Sequence, residues 1–413
     1  MTIALQVTPA AAAGSFISRF SEISDIGTTV PSNGDVNPYG LAVVPRSSGD
    51  LVGGDILVSN FNAASNLQGT GTTVVQLSPT GRRSLFADVD PTMLHGRCPG
   101  GVGLTTALSI LPHGFVVVGS LPTEDGTPAT ARAGCLIVLD DRGRVVETIS
   151  GGGINGPWDM TAAATQEGAA LFVTNVLNGT VAAGGAVVDR GTVLRLDLRI
   201  GGGEAPAVVS RTVIASGFSE RTDPSALVIG PTGVALGLNG TLYVADSLNN
   251  RIAAIPRALT RQSSALSGLD VTANGAISDP LGLTVAPNGD ILTVNGANGK
   301  LVETTPAGAQ IAVRLLDRTG TPPGVGTLFG LALAPRGRGG VLRGRRHQPA
   351  ATPALIRAPM IAPGTCPRRT GVRTGGKRAR PGGATGSRPR RSTPTPRRTW
   401  WGRRPRCGSR SRR

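Results

Sequence analysis

Residues 232–256 read TGVALGLNGTLYVADSLNNRIAAIP, and this stretch decides the fold. Residues 234–238 (VALGL) are a short apolar run. Asn239-Gly240 is a turn signal, because both residues tolerate positive φ. Residues 241–245 (TLYVA) carry the β-branched and aromatic side chains that suit a pleated strand. Residues 246–250 (DSLNN) are a second turn cluster, and 251–255 (RIAAI) a third strand. Pro256 ends that strand, since proline has no N–H to donate to a ladder.

The pattern recurs outward in both directions. First strands with their turns lie at 40–45, 103–114, 158–161, 282–289 and 330–335. Second strands follow at 55–60 (DILVSN), 115–120 (FVVVGS), 171–175 (LFVTN) and 290–295 (DILTVN), equivalent to 242–246 (LYVAD). Third strands are expected at 73–77, 135–139, 192–196, 251–255 and 301–304, and fourth strands at 84–87, 145–149, 212–215 and 311–315. Antiparallel meanders repeating about every 50–75 residues are the signature of a β-propeller. The expectation is an all-β, six-bladed β-propeller over residues 15–335, with its last blade incomplete. Residues 16–26 (FISRFSEISDI) precede the first blade as a fourth strand would, and are expected to form the outer strand of the last blade.

Residues 242–252 (LYVADSLNNRI) resemble the PxGLxxxPxGxLYVADxxNNRI pattern of NHL-type propeller blades, and the other units resemble it loosely, over residues 37–335. More distantly, the architecture is similar to the sugar-lactonase propellers of the gluconolactonase and senescence-marker group. The NHL resemblance implies the fold and leaves function open, since propellers host many unrelated activities. The lactonase resemblance implies a divalent metal held by a Glu, an Asn and an Asp from different blades, with an Asp as base. Asn175 and Asp246 correspond to part of that set, and no glutamate stands at a matching early-blade position.

Charge divides the chain. The formal net charge is +17, yet residues 1–335 hold all 25 acidic residues and carry −6, whereas 336–413 carry +23. After the strand-like 327–335 (TLFGLALAP), the chain turns into an Arg/Pro/Gly/Thr tail. Taken as written, residues 336–413 are a disordered basic C-terminal tail able to bind nucleic acid or an anionic surface. A frameshift explains it better. Dropping one nucleotide at Leu342 makes the codons to Pro353 compatible with Tyr-Val-Asp-Asp-Gly-Thr-Asn-Gln-Leu-Arg-Leu-Leu, the missing strand, turn and strand. A blade lacking its middle strands leaves open edges, so the chain as written is expected to be marginal or aggregation-prone. Residues 1–14 lack a basic start and a long apolar core, and read either as the remnant of a signal peptide or as a disordered end. No run reaches the length of a membrane span.

The second strands end in Asn60, Ser120, Asn175, Asp246 and Asn295, one equivalent position per blade. As a ring of oxygens facing the channel, the Asn and Asp members suit Ca²⁺ or another divalent cation. As turn residues, they cap local amides, which is the commoner role. Asp159, after Trp158 at the start of a first strand, either lines the channel or satisfies amides at the strand start. His113 is a turn residue, His95 has no evident partner, and His347 lies in the tail. No G-x-S-x-G or HExxH occurs, so a serine hydrolase or a zinc protease has no support. The run 151–156 opens no helix and is not a nucleotide loop. Cys98 and Cys135 fall in one unit and read as a buried or free thiol pair, with a disulfide open in an oxidising compartment. The sequons at Asn178 and Asn239 read as hairpin turns.

The expected function is non-catalytic: a monomeric, exported propeller that binds a protein or small-molecule ligand at a loop face or at the channel mouth. A metal-dependent lactonase-like hydrolase is the alternative. Nucleic acid is a partner only if the tail is genuine.

Overall fold

The computed structural model describes residues 14–201 and 203–334, together with the backbone of Gly340–Arg343 and Ala354–Arg357. Residues 1–13 and most of 336–413 lie outside this range, with the expectations of a signal remnant and a frameshift that fall on them, while the tail expected to be disordered from residue 336 has strands at Gly340–Arg343 and Ala354–Arg357.

Five blades are each built from one contiguous stretch of antiparallel strands. Blade 1 comprises Val36–Val43, Ile56–Asn62, Thr73–Leu77 and Arg83–Asp88. Blade 2 comprises Leu104–Ile110, Val116–Ser120, Cys135–Leu139 and Val145–Ile149. Blade 3 has five strands, Pro157–Ala164, Gly168–Asn175, Val188–Arg199, Ala207–Asp223 and Leu227–Ile229. Blade 4 comprises Pro231–Leu236, Leu242–Asp246, Arg251–Ile255 and Leu269–Ala273, and blade 5 Pro280–Val285, Ile291–Asn295, Lys300–Thr304 and Gln310–Leu315.

The expectation of six blades, the last of them incomplete, is corrected. Beside the five contiguous blades stands a composite sheet, ordered Glu22–Asp25, Ala354–Arg357, Gly340–Arg343 and Leu331–Leu333. Its outer strand comes from the start of the chain and the rest from the far end. The two middle strands occupy positions that the sequence reading left empty. Leu331–Leu333 adjoins the first strands of both blade 5 and blade 1, so the inner strands follow one another in a closed circle.

A second correction concerns blade 3. Its fourth strand was expected at 212–215, but Ala207–Asp223 runs for 17 residues, pairing along Val188–Arg199 through several register shifts. The shifts let a long ribbon coil while its alternation holds, with Ile214, Phe218 and Glu220 buried.

The apolar core follows the circle. One buried cluster lies between each neighbouring pair of sheets, for example Leu171, Leu194 and Leu196 of blade 3 against Val117, Leu136 and Val138 of blade 2. At the blade 5 side of the composite sheet, the start of the chain fills the gap. Ile17 and Phe20 pack against Leu292, Leu301 and Leu331. The Glu303 carboxylate fixes that segment, accepting from Ser15 Oγ at 2.6 Å and from the N–H groups of Phe16 and Ile17 at 2.6 and 2.9 Å. Cys98 and Cys135 form a disulfide with Cα atoms 5.2 Å apart, which corrects the reading of free thiols. No helix among the described residues is long and apolar enough to cross a membrane.

Candidate functional site

First strands start at one end of the central channel and finish at the other. At their starting end, Tyr39 stacks on Phe61 and on Phe329, with ring centroids 4.6 and 4.3 Å apart, and Trp158 lies 6.3 Å from Phe329. Leu227, Val228 and Ile229 of the extra blade 3 strand join the same buried cluster. The segment leading to that strand reaches blade 1, where Gln68 Nε2 donates to the Pro224 carbonyl at 3.0 Å. An aromatic cap under a strap therefore closes this end.

Below the cap the channel opens into a cavity of about 400 Å³. Its walls are the first strands of all six sheets, presenting Leu41, Leu108, Met160, Val234, Leu283 and Leu331 among others. Asp159 is the one ionisable side chain among its described lining residues.

The position of Asp159 is unusual within the repeat. Each first strand bulges just before the residue that rejoins the ladder: Leu41, Leu108, Met160, Val234 or Leu283. The residue immediately before it is Gly40, Ala107, Asp159, Gly233 and Gly282 in turn, and Gly330 in the composite sheet. The glycines are required sterically. A Cβ on Gly233 would strike the Leu281 carbonyl, one on Gly282 the Phe329 carbonyl, and one on Gly330 the Tyr39 carbonyl. Neighbouring inner strands touch at this level. Only blade 3 places a functional group there.

The Asp159 carboxyl lies between blades 3 and 4. One oxygen accepts the Met160 N–H at 2.8 Å and the other the Val234 N–H at 3.1 Å. The backbone is pinned by Thr174, whose Oγ1 accepts the Asp159 N–H at 3.0 Å and donates to the Thr232 carbonyl at 2.9 Å. Ser59 does the same between blades 1 and 2, accepting from Gly40 N–H and donating to the Thr105 carbonyl. The side chain thus stands on a rigid strand, held by both its own sheet and the next. Desolvation pushes its pKa up to about 8, against the pull of the Met160 and Val234 N–H groups.

The five strand-end residues are all fully buried and each serves its own blade. Asn60 Nδ2 donates to the Thr29 carbonyl and to Thr73 Oγ1. Ser120 Oγ donates to the Gly101 carbonyl and accepts the Gly103 N–H. Asn175 Oδ1 accepts the Asn155 N–H, and Asn295 Nδ2 donates to the Ala276 carbonyl and Asn298 Oδ1. Asp246 is ion-paired with Arg251 at 2.7 Å and takes both oxygens to Asn249 Nδ2 at 3.1 Å. These contacts tie each second strand to adjoining loops. None of the five lines the channel cavity, where Asp159 stands apart from them.

A shared divalent cation does not fit this set. The Asp246 charge is already met by Arg251, and the Asn175 oxygen by a backbone amide. Among the described residues no three His, Cys, Asp or Glu side chains gather as a metal centre would need. Asn60 Oδ1 and Asn295 Oδ1 are buried without a protein hydrogen bond, but neither residue lines the channel cavity.

Three acidic residues escaped the sequence reading. Glu220, on the long ribbon, accepts the Asn178 N–H at 2.9 Å, and burial pushes its pKa up to about 7. Asp290 and Glu303 share Asn288 Nδ2, at 2.7 and 3.3 Å. Burial, then hydrogen bonding to Glu303 and its charge, push Asp290 up to about 6. The contacts of Glu220 with Asn178 and of Glu303 with Asn288 leave no local mark in the sequence, because those partners lie in other strands and loops.

No family model and no curated protein matches the chain. Similar solved structures include a putative gluconolactonase, 16% identical over 84% of this chain and 96% of that one, with a TM-score of 0.49. They also include the calcium-binding protein regucalcin from Agrobacterium tumefaciens, 13% identical over 80% and 93%, TM-score 0.48. Virginiamycin B lyase from Staphylococcus aureus is 13% identical over 81% and 87%, TM-score 0.44. The propeller architecture rests on the sheet topology above, and at these scores the likeness adds no argument about site or substrate.

Proposed function

We propose that this chain is a non-catalytic propeller of NHL type that holds a small ligand in its central channel. One observation carries the reading. Blade 3 places Asp159 in the channel wall at a level where the other inner strands have Gly or Ala, and the cavity of about 400 Å³ has this one ionisable anchor among its described lining residues. A concave site with a few precisely placed polar groups is the usual form of a small-molecule site. In the wider proposal the protein is exported and monomeric, and the basic tail is a frameshift product. The Cys98–Cys135 bridge supports export, because disulfides persist in oxidising compartments.

The alternative, a divalent-metal hydrolase of the lactonase sort, has in its favour the buried acceptor oxygens of Asn60 and Asn295. Against it stands the prior engagement of Asp246 and Asn175. Two measurements separate the readings: thermal melts with a panel of small ligands, and lactone turnover with calcium or zinc. Ligand-dependent stabilisation without turnover is the expected result. Turnover that depends on the divalent ion would establish the hydrolase instead.

A further inference from the structure

The channel also indicates what kind of ligand it takes, an inference that rests on the proposed binding role. We propose that the channel binds a small organic ammonium compound, with the Asp159 carboxylate as its counter-charge and the aliphatic wall covering its alkyl part.

The charge pattern is one-sided. Asp159 is the sole ionisable side chain among the described lining residues, and no cation offsets it. The first strands of blades 1, 2, 4 and 5 and the described residues of the composite sheet bring no second titratable group to the wall. Arg46 is exposed and lines an adjoining groove that shares Pro45 and Ile110 with the cavity, and it is not among the cavity's own lining residues. The carboxyl partners are two backbone N–H groups, one on each oxygen. A carboxylate oxygen can accept more than one hydrogen bond, so both retain acceptor capacity. An ammonium donates up to three N–H bonds and accepts none, which makes it the complement of an acceptor-only anion.

The remainder of the wall selects for an alkyl body. Leu41, Val43, Leu108, Ile110, Leu283 and Leu333 surround the cavity without an aromatic ring, and Ser109, Thr161 and Thr284 are its uncharged polar members. A carboxylate-bearing ligand would meet like charge. A neutral alcohol of the same length would gain the apolar contacts and lose the charge-assisted bond. The proton is a competitor as well. Because desolvation keeps the carboxyl protonated to about pH 8, an amine that stays charged must displace that proton. Its affinity therefore rises with pH through this window.

The experiment uses the full chain with three probes of equal length: pentylammonium, pentan-1-ol and pentanoate. Binding is read by calorimetry and thermal shift on the wild type, Asp159→Asn and Asp159→Gly, at constant ionic strength. Expected are at least about ten-fold tighter binding of pentylammonium than of pentanol, loss of that preference in both variants, and wild-type affinity that increases from pH 6 to pH 8.5. Equal binding of pentanol, or a preference for the amine that survives in Asp159→Gly, overturns the ammonium assignment while leaving a channel ligand in place. A flat pH profile in the wild type does the same even if neither variant folds. If none of the probes binds the wild type, the channel-ligand reading falls with it.

Discussion

Asp159 and Gly282 occupy one position in two repeats under opposite constraints. At Gly282 the next inner strand lies so close that a Cβ would overlap the Phe329 carbonyl. Gly282→Ala should therefore destabilise the chain by about 1–3 kcal/mol through overpacking, measured by urea melts. An unchanged midpoint would show that the inner strands separate freely. Asp159 departs from this rule, and such departures concentrate at functional sites. The departure was legible once the repeats were aligned, since Tyr39-Gly40, Leu281-Gly282 and Phe329-Gly330 set the column into which Trp158-Asp159 falls. Its significance was not legible, because the closeness of the strands is a property of the closed circle. For Asn60, Asn175, Asp246 and Asn295 the equivalence was legible, but their own-blade hydrogen bonds were beyond the sequence.

At the scale of elements, the loop between blades 1 and 2 shows how tertiary contacts settle what spacing leaves open. The Gly100 N–H donates to the Ala133 carbonyl at 2.8 Å, which lays the loop beside the start of Cys135–Leu139. Cys98 is thereby brought to Cys135 across 37 residues of sequence. In a chain-entropy account a closure of that length stabilises by about 3–4 kcal/mol. Reduction, or replacement of both cysteines by serine, should lower the melting temperature accordingly, and a melt indifferent to reductant would contradict the bridge. The outer strand Glu22–Asp25 was anticipated from residues 16–26 because alternation and position suffice to mark it. The length of Ala207–Asp223 was not, because its Gly-rich flank reads as loop and its register shifts leave no local mark. The latch on Glu303 was likewise hidden, since its donors and acceptor lie more than 280 residues apart.

Among the described residues, four acids hold their protons unusually long in the folded state, Asp246 among them, where burial outweighs the hydrogen bonds from Asn249 and Arg251. Burial is the leading cause at Asp159, Glu220 and Asp290, whose pKa values are pushed up to about 8, about 7 and about 6. Unfolded, each would release its proton near pH 4. Between these limits the folded chain binds more protons than the unfolded one, so stability falls as pH rises. Glu303, Asp90, Asp125 and Asp140 oppose the trend, and their contribution is lost only at more acid pH; Glu303 shows how. Burial works upward there, but the hydrogen bonds from Ile17, Ser15 and Phe16 outweigh it and hold the carboxyl below its usual range. Urea midpoints should accordingly be higher at pH 5.5 than at pH 8.5, and a midpoint rising across that interval would refute the assignment.

The propeller class is a molecular-scale property that repetition made legible from residues 232–256 outward. The composite sheet was only half legible, because its strands come from both ends of the chain. The central claim is that Asp159 is kept for a ligand at a cost to stability, and urea melts of the wild type and Asp159→Gly at pH 6 and pH 9 test it most directly. The account predicts that the variant, carrying the residue found in most other repeats, matches or exceeds the wild type at pH 9 and loses less stability between the two pH values. A variant weaker by more than about 2 kcal/mol at both pH values, with the wild-type slope unchanged, would make Asp159 a strut between blades 3 and 4 and contradict the claim.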